Sequence, residues 1–202
     1  MPVSTTTPTP TFLTNASFRR FSVGEYHKLI DTGVLVDGEP YELLEGYLVL
    51  KMSRGTPHDE AMDFLDAVLM PLIPANWYVR SQRSITLSDS EPEPDYAVVR
   101  GRRMHNRGHH PLATELGLVI EVSDSSLPID RTDKARIYAR AGIPVYWIVN
   151  VQDKVVEVLT LPSGPCELPA YAQRDEYPIG TSVPVVLDGN TVGSIAVADI
   201  MG

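Results

Sequence analysis

A glutamate stands inside the apolar run Leu118-Val119-Ile120-Glu121-Val122, and that placement limits what the chain can become. Strand alternation sends Leu118, Ile120 and Val122 to one face and Val119, Glu121 and Ser123 to the other, and both faces are largely apolar. Such a strand belongs in a sheet covered on both sides, so Glu121 reads as a buried carboxylate that needs a partner. The next helical segment, Thr132 to Ala141, offers one. At about 100° per residue Lys134 falls between Ile137, Tyr138 and Ala141, whereas Asp133, Arg136 and Arg140 share the opposite face. Lys134 therefore points inward, towards Glu121.

A further acid comes from upstream. In Ser90-Glu91-Pro92-Glu93-Pro94-Asp95-Tyr96, alternation puts Glu91, Glu93 and Asp95 on one side before a strand that begins near Tyr96. Asp95 is then expected at the mouth of the sheet. An acid at a strand end, a second acid in the neighbouring strand and a lysine close by suit the binding of Mg²⁺ and the activation of water at a phosphodiester. A plainer reading of the same residues stays open: a buried Glu121 to Lys134 ion pair that locks helix to sheet, with Asp95 capping a turn after Pro94.

At 202 residues the chain is long enough for one domain with a proper core. The start, Met1-Pro-Val-Ser-Thr-Thr-Thr-Pro-Thr-Pro10, is too poor in apolar residues to offset the entropy of ordering, so 1–17 is expected to be a disordered tail before a single domain over 18–202. No apolar stretch approaches the ~20 residues of a membrane helix, and the start lacks the pattern of a signal peptide, so the cytoplasm is the expected location. One cysteine, Cys166, rules out an internal disulfide and a cysteine-based zinc site.

A net charge of -9 and a pI near 5.0 argue against broad, non-specific nucleic-acid binding. Locally the opposite holds. Arg100-Gly-Arg-Arg-Met-His-Asn-Arg-Gly-His-His110 follows the Asp95 strand, and its Arg100, Arg102, Arg103 and Arg107 are candidates for phosphate contact beside the acids. The alternative for that loop is a solvated surface, since charge runs usually are. A histidine-only metal site at His105, His109 and His110 has no acid or cysteine at ligand spacing.

Ser22 with Glu25 predicts a capping box for a helix carrying Tyr26, Leu29 and Ile30 and ending at Gly33. Tyr41 to Met52 predicts a hairpin turning at Glu45-Gly46. Thr56 before Pro57 predicts the cap of a second helix with a stripe of Ala61, Phe64, Leu65, Val68, Leu69 and Leu72, and His58 continues that stripe as either a core or a site residue. Strands are predicted over Trp77 to Leu87, Pro94 to Val99, Leu118 to Val122, Val145 to Asn150 and Lys154 to Leu161, with short strands after Tyr177. The sum is an α/β (α+β) chain with a mixed central sheet flanked by helices and additional hairpins. It has no Gly-x-Ser-x-Gly elbow, phosphate-binding glycine loop or His-Glu-x-x-His helix.

Five stretches together resemble the Uma-two family of predicted endonucleases, of the PD-(D/E)XK or restriction-endonuclease-like superfamily. They are Tyr41-Glu-Leu-Leu-Glu-Gly46, His58 opening a helix, Pro94-Asp95, Glu121-Val-Ser-Asp-Ser-Ser126 with Asp130-Arg-Thr-Asp-Lys134, and Tyr138-Ala-Arg-Ala-Gly-Ile-Pro-Val-Tyr-Trp-Ile-Val149. The resemblance implies a restriction-endonuclease-like core and a metal-dependent endonuclease acting on DNA. It implies Asp95 and Glu121 as metal-binding acids, with the Val122 carbonyl, for Mg²⁺ or Mn²⁺. It further implies Lys134 as the lysine moved from strand to helix, Glu42 as an additional acid, His58 as an accessory residue, and a homodimer that cuts both strands. Ser123 stands where the plain pattern holds lysine. A catalytically inactive scaffold that binds or assembles is the alternative that Ser123 and the acidic charge favour.

Overall fold

The computed structural model describes residues 18–36, 38–102 and 108–202, so the expected tail over 1–17 and the loop residues Arg103, His105 and Arg107 lie outside the described residues. Ser22 caps helix α1 (Val23–Asp31) as its sequence predicts: its hydroxyl accepts the Glu25 N–H, and the Glu25 carboxylate takes the Ser22 N–H. The helix ends at Asp31 with Thr32 as its C-cap, and Gly33 just beyond adopts φ +71°. Strands β1 (Tyr41–Leu44) and β2 (Tyr47–Leu50) follow as an antiparallel hairpin. Its two turn residues, Glu45 and Gly46, both have positive φ, which matches the twist of a tight hairpin.

Helix α2 (Thr56–Leu69) buries Ala61, Met62, Leu65 and Leu69. Two details depart from the sequence reading. The N-cap is Gly55, with no side-chain hydrogen bond, and Thr56 is the first helical residue; Phe64 stays exposed.

Six strands form the central sheet in the order β3 (Trp77–Ser81), β4 (Tyr96–Arg100), β5 (Leu116–Ser123), β6 (Val145–Asn150), β7 (Val155–Pro162) and β8 (Tyr171–Pro178). Only β5 and β6 are parallel; every other neighbouring pair is antiparallel. A parallel pair needs a crossover, and the chain supplies it as a helical segment. That segment runs through a single turn at Leu127–Ile129, a π-helical stretch at Asp130–Lys134 and helix α3 (Ala135–Arg140). β3 is shorter than the predicted Trp77 to Leu87 because Gln82 turns to φ +51° and donates its N–H to the Asp95 carbonyl. The sequence reading predicts no strand at β8. Its Gln173-Arg174-Asp175-Glu176 core carries no apolar alternation, and only pairing with β7 makes it a strand.

The sheet separates two apolar clusters, as the two-faced pattern of β5 requires. Leu118, Ile120, Val122 and Trp147 face α2 and the terminal hairpin β9 (Ser182–Leu187) and β10 (Asn190–Ala196), which short helix α4 (Ala198–Met201) closes. Val119, Tyr146 and Ile148 face the crossover helix together with Leu44 of the first hairpin. Glu121 lies on this second side. The described chain is therefore an α+β fold with a mixed sheet covered on both faces.

Gly117 in β5 tests how tightly the first cluster is packed. A Cβ there would lie 2.7 Å from the Trp77 ring and 2.9 Å from Leu187, whereas a Cβ on Gly24 in α1 meets nothing within 4 Å. Gly117→Ala is expected to destabilise by about 1–3 kcal/mol through overpacking. Gly24→Ala should instead stabilise, by up to about 1 kcal/mol, because alanine loses less backbone entropy in a helix. Thermal melts of the two variants should move in opposite directions.

Candidate functional site

Antiparallel pairing of Tyr96 with Ile120 brings the residue before β4 beside the end of β5, and that residue is Asp95. Its Oδ2 accepts the Val122 N–H at 2.9 Å and lies 3.2 Å from His58 Nε2. Arg54, in the loop before α2, brings Nη2 to 4.0 Å from Asp95 Oδ1. Burial disfavours a charged His58 ring, but hydrogen bonding and attraction to Asp95 outweigh it, so the His58 pKa is raised.

One residue on from Ile120, Glu121 points to the crossover helix and is 3% exposed. Its Oε1 accepts the Lys134 ammonium at 3.0 Å and the Tyr138 hydroxyl at 2.6 Å. Burial holds the Tyr138 phenol protonated, well above its ordinary pKa, so it remains a donor. Lys134, 8% exposed, has two more carboxylates close by: Glu42 Oε1 at 3.8 Å and Asp130 Oδ1 at 3.7 Å. Glu42, from β1, also accepts the Glu93 N–H at 3.1 Å, which ties the hairpin to the segment leading into Asp95.

The helix that presents Lys134 is fixed from both ends. Arg131 donates to Glu157 of β7, a carboxylate with no exposed surface, at 2.9 Å through Nε. Arg136 and Arg140 both reach Glu45 in the hairpin turn, and Arg140 also reaches Asp89 at 2.7 Å. These exposed-face arginines therefore set the distance between the hairpin carrying Glu42 and the helix carrying Lys134. Asp133 is exposed and pairs with Arg136, so the predicted division of the helix faces is observed.

Three carboxylates around one ammonium leave an excess of negative charge. Burial pushes the Glu121 carboxyl up to about 8; Lys134 opposes that rise, while Asp130, Asp95 and Glu42 add to it. Burial also works against the charge on Lys134, but Glu121, Glu42 and Asp130 together outweigh it, so its pKa is raised and it stays an ammonium.

Asp95, Glu121, Val122, Lys134, Glu42 and His58 thus line one open pocket, as the sequence reading grouped them. Arg54 and Asp130 join them there, and Tyr138 stands behind on Glu121; the sequence alone assigns none of the three a site role. Asp130 was accessible in principle, four residues before Lys134 on the inward face; Arg54 sits in a loop without a pattern to mark it. Arg100 departs from expectation. It lies at the far end of β4 from Asp95, pairs with Asp188 and stacks over Trp77 at 4.4 Å. Arg102 is exposed. No helix among the described residues is long and apolar enough to cross a membrane.

A family model described as "Uma2: Putative restriction endonuclease" matches residues 23–190, a span that contains every pocket residue named above. A search among curated proteins found no match. The fold is similar to that of a solved protein from Anabaena variabilis ATCC 29413, described as "a putative nuclease belonging to DUF820". The two align with a TM-score of 0.58 over 86% of this chain and 96% of that one, at 16% sequence identity, a likeness that bears on the fold alone. With the greater part of its length matched by that family model, the chain belongs to the Uma2 family.

Proposed function

We propose that the chain is a divalent-metal-dependent endonuclease that hydrolyses DNA phosphodiester bonds at this pocket, with the PD-(D/E)XK arrangement of acids. The observation that carries the reading is the placement of Asp95 and Glu121 on either side of the Val122 backbone at neighbouring strand ends, with Lys134 bonded to Glu121. Among the described residues no three histidine, cysteine or acidic side chains stand close enough to hold an ion by themselves. Asp95 and Glu121 would suffice for Mg²⁺, which is usually held by one or two carboxylates and keeps several waters. The excess of carboxylates over the single ammonium suits it too.

Asp95, Glu121 and the Val122 carbonyl would hold the ion, Mg²⁺ or Mn²⁺, with Glu42 as an additional acid farther out beside Lys134. What the ion supplies when bound is Lewis-acid polarisation of the scissile phosphate and activation of water. The chain does the rest. Lys134 orients the attacking water and steadies the charge that develops on the phosphate. His58 and the Val122 N–H fix the Asp95 carboxylate, and Tyr138 fixes Glu121, so neither acid has to reorganise during the reaction. Arg102 is the described loop residue available for phosphate contact away from the acids. A twofold dimer would give two opposed sites for the two strands.

Supercoiled plasmid incubated with Mg²⁺ or Mn²⁺ should be nicked or linearised by the wild type. Asp95→Ala, Glu121→Ala and Lys134→Ala should each lose that activity, while Asp133→Ala, on the outer face of the helix, keeps it nearly intact. Cleavage by Asp95→Ala would sink the assignment. DNA binding without cleavage would instead favour a non-catalytic binding or assembly protein, the role to which Ser123 and the charge of -9 lean.

Metal binding should also be visible in stability. At about ten times the dissociation constant the gain is roughly 1.4 kcal/mol, or roughly 3 to 6 °C in melting point. Glu121→Gln should show a smaller shift. The pH dependence has a definite sign: the Glu121 carboxyl titrates at about 8 in the fold against an ordinary value of 4.5. Its contribution to metal-free stability is thus fully present below pH 4.5 and lost as pH rises to 8. Through this group, metal-free wild type should lose stability between pH 5 and pH 8.5, and Glu121→Gln should remove that part of the slope.

A further inference from the structure

Asp130 is 1% exposed and lies in the π-helical turn, a distortion that is frequent at functional sites. Its two oxygens are treated very differently. Oδ2 accepts the Ser123 hydroxyl at 2.7 Å and the Ser126 hydroxyl at 2.6 Å, so the carboxylate cannot swing. Oδ1 is buried with no hydrogen-bond partner and faces the Lys134 ammonium across 3.7 Å. A buried carboxylate oxygen left without a donor is costly, and a fold that merely needed an anchor for Ser123 and Ser126 could use a neutral side chain there.

Lys134 shows the complementary feature. An ammonium has three N–H donors, yet of its three neighbouring carboxylates only Glu121 stands at hydrogen-bond distance, with Asp130 and Glu42 just beyond. Moving Nζ by on the order of 1 Å would bring it to Asp130 Oδ1 at an ordinary charge-assisted length. Glu121 Oε1 already carries both Lys134 and Tyr138. A cation arriving at Glu121 would meet the ammonium on the same carboxylate, and the two positive charges would compete for it.

Resting on the metal-site reading above, we propose that Asp130 is a positioning residue: Oδ1 is the second berth of the Lys134 ammonium, which shifts from Glu121 to Asp130 when a divalent cation binds at Glu121. The lysine is thereby moved off the metal ligand without leaving the site. Ser123, standing where the plain pattern holds a lysine, has the separate task of holding Asp130 still. Asp130 acts only through Lys134 and touches neither ion nor substrate.

Two measurements on the full-length protein test this, neither of them activity. By calorimetric titration with Mn²⁺, Asp130→Asn, which keeps an oxygen for the two serines but removes the charge, should bind about tenfold more weakly than wild type. Ser126→Ala, which removes one serine bond and leaves the charge, should stay within about twofold. In lysine-labelled protein, one of whose four lysines is Lys134, the ¹⁵Nζ signal of Lys134 should shift on Mg²⁺ saturation of the wild type. Metal-free Glu121→Gln should place it near that shifted position, and this second measurement stands even if Asp130→Asn does not fold. An Asp130→Asn affinity equal to wild type, or a Lys134 signal unmoved by saturating Mg²⁺, overturns the second berth while leaving the metal site in place. Wild type that binds no Mn²⁺ overturns the metal reading and this inference with it.

Discussion

A single buried ammonium organises this molecule. Lys134 is drawn from a surface-type residue into the sheet-facing side of a helix, and Glu121, Glu42 and Asp130 meet it from a central strand, the first hairpin and the helix itself. Removing Lys134 would leave these acids uncompensated in a region from which water is largely excluded, a cost of several kcal/mol for a broken buried pair. The hairpin, the crossover helix and the central strand therefore cannot drift independently. The pairs of Arg136 and Arg140 with Glu45, and of Arg131 with Glu157, reinforce the same geometry from outside the pocket.

Topology explains why the site lies where it does. The lone parallel pair, β5 with β6, forces a helical crossover, and that crossover lays Lys134 over Glu121. The antiparallel pairing of β4 with β5 then brings the start of one strand to the end of the other, so Asp95 and Glu121 become neighbours though far apart in sequence. Arg100 illustrates the same rule in reverse. It is only five residues beyond Asp95, but those residues form a strand, and at roughly 3.3 Å per residue the strand carries it away from the acids. Proximity in sequence is a poor guide to proximity in a sheet.

Much of this is legible in the sequence. The alternation in Leu118 to Val122 predicts a doubly covered strand with an inward acid, helical phase predicts an inward Lys134 and an outward Asp133, and Glu45-Gly46 marks its hairpin turn. These signals are legible because burial and turn geometry act on local spacing. Others are not local. The end of β3 at Gln82 depends on a hydrogen bond to Asp95, the strand character of β8 depends wholly on β7, and the π-helical winding of Asp130 to Lys134 is not marked by the spacing that places the two on one face. Nor does spacing say that Arg100 will be taken up by Asp188 and Trp77 from the other end of the chain.

The charge balance around Lys134 separates a lock from a site more sharply than its geometry does. A helix can be pinned to a sheet by one carboxylate and one ammonium, and well-packed apolar residues often serve as well or better. Here the lysine faces three carboxylates, a fourth, Asp95, adds its field, and burial with the crowding of acids keeps the Glu121 carboxyl reluctant to ionise. Asp130 Oδ1 meanwhile stays without a hydrogen bond. Each of these features costs folding stability and none improves the attachment of helix to sheet. Local arrangements that work against the fold are most often found where the chain has a task beyond folding. The outer surface is acidic as well, so the attraction for a negatively charged substrate cannot come from the net charge of the chain. On the reading proposed above, that attraction is local, from a cation held at the acids together with Lys134 and Arg54.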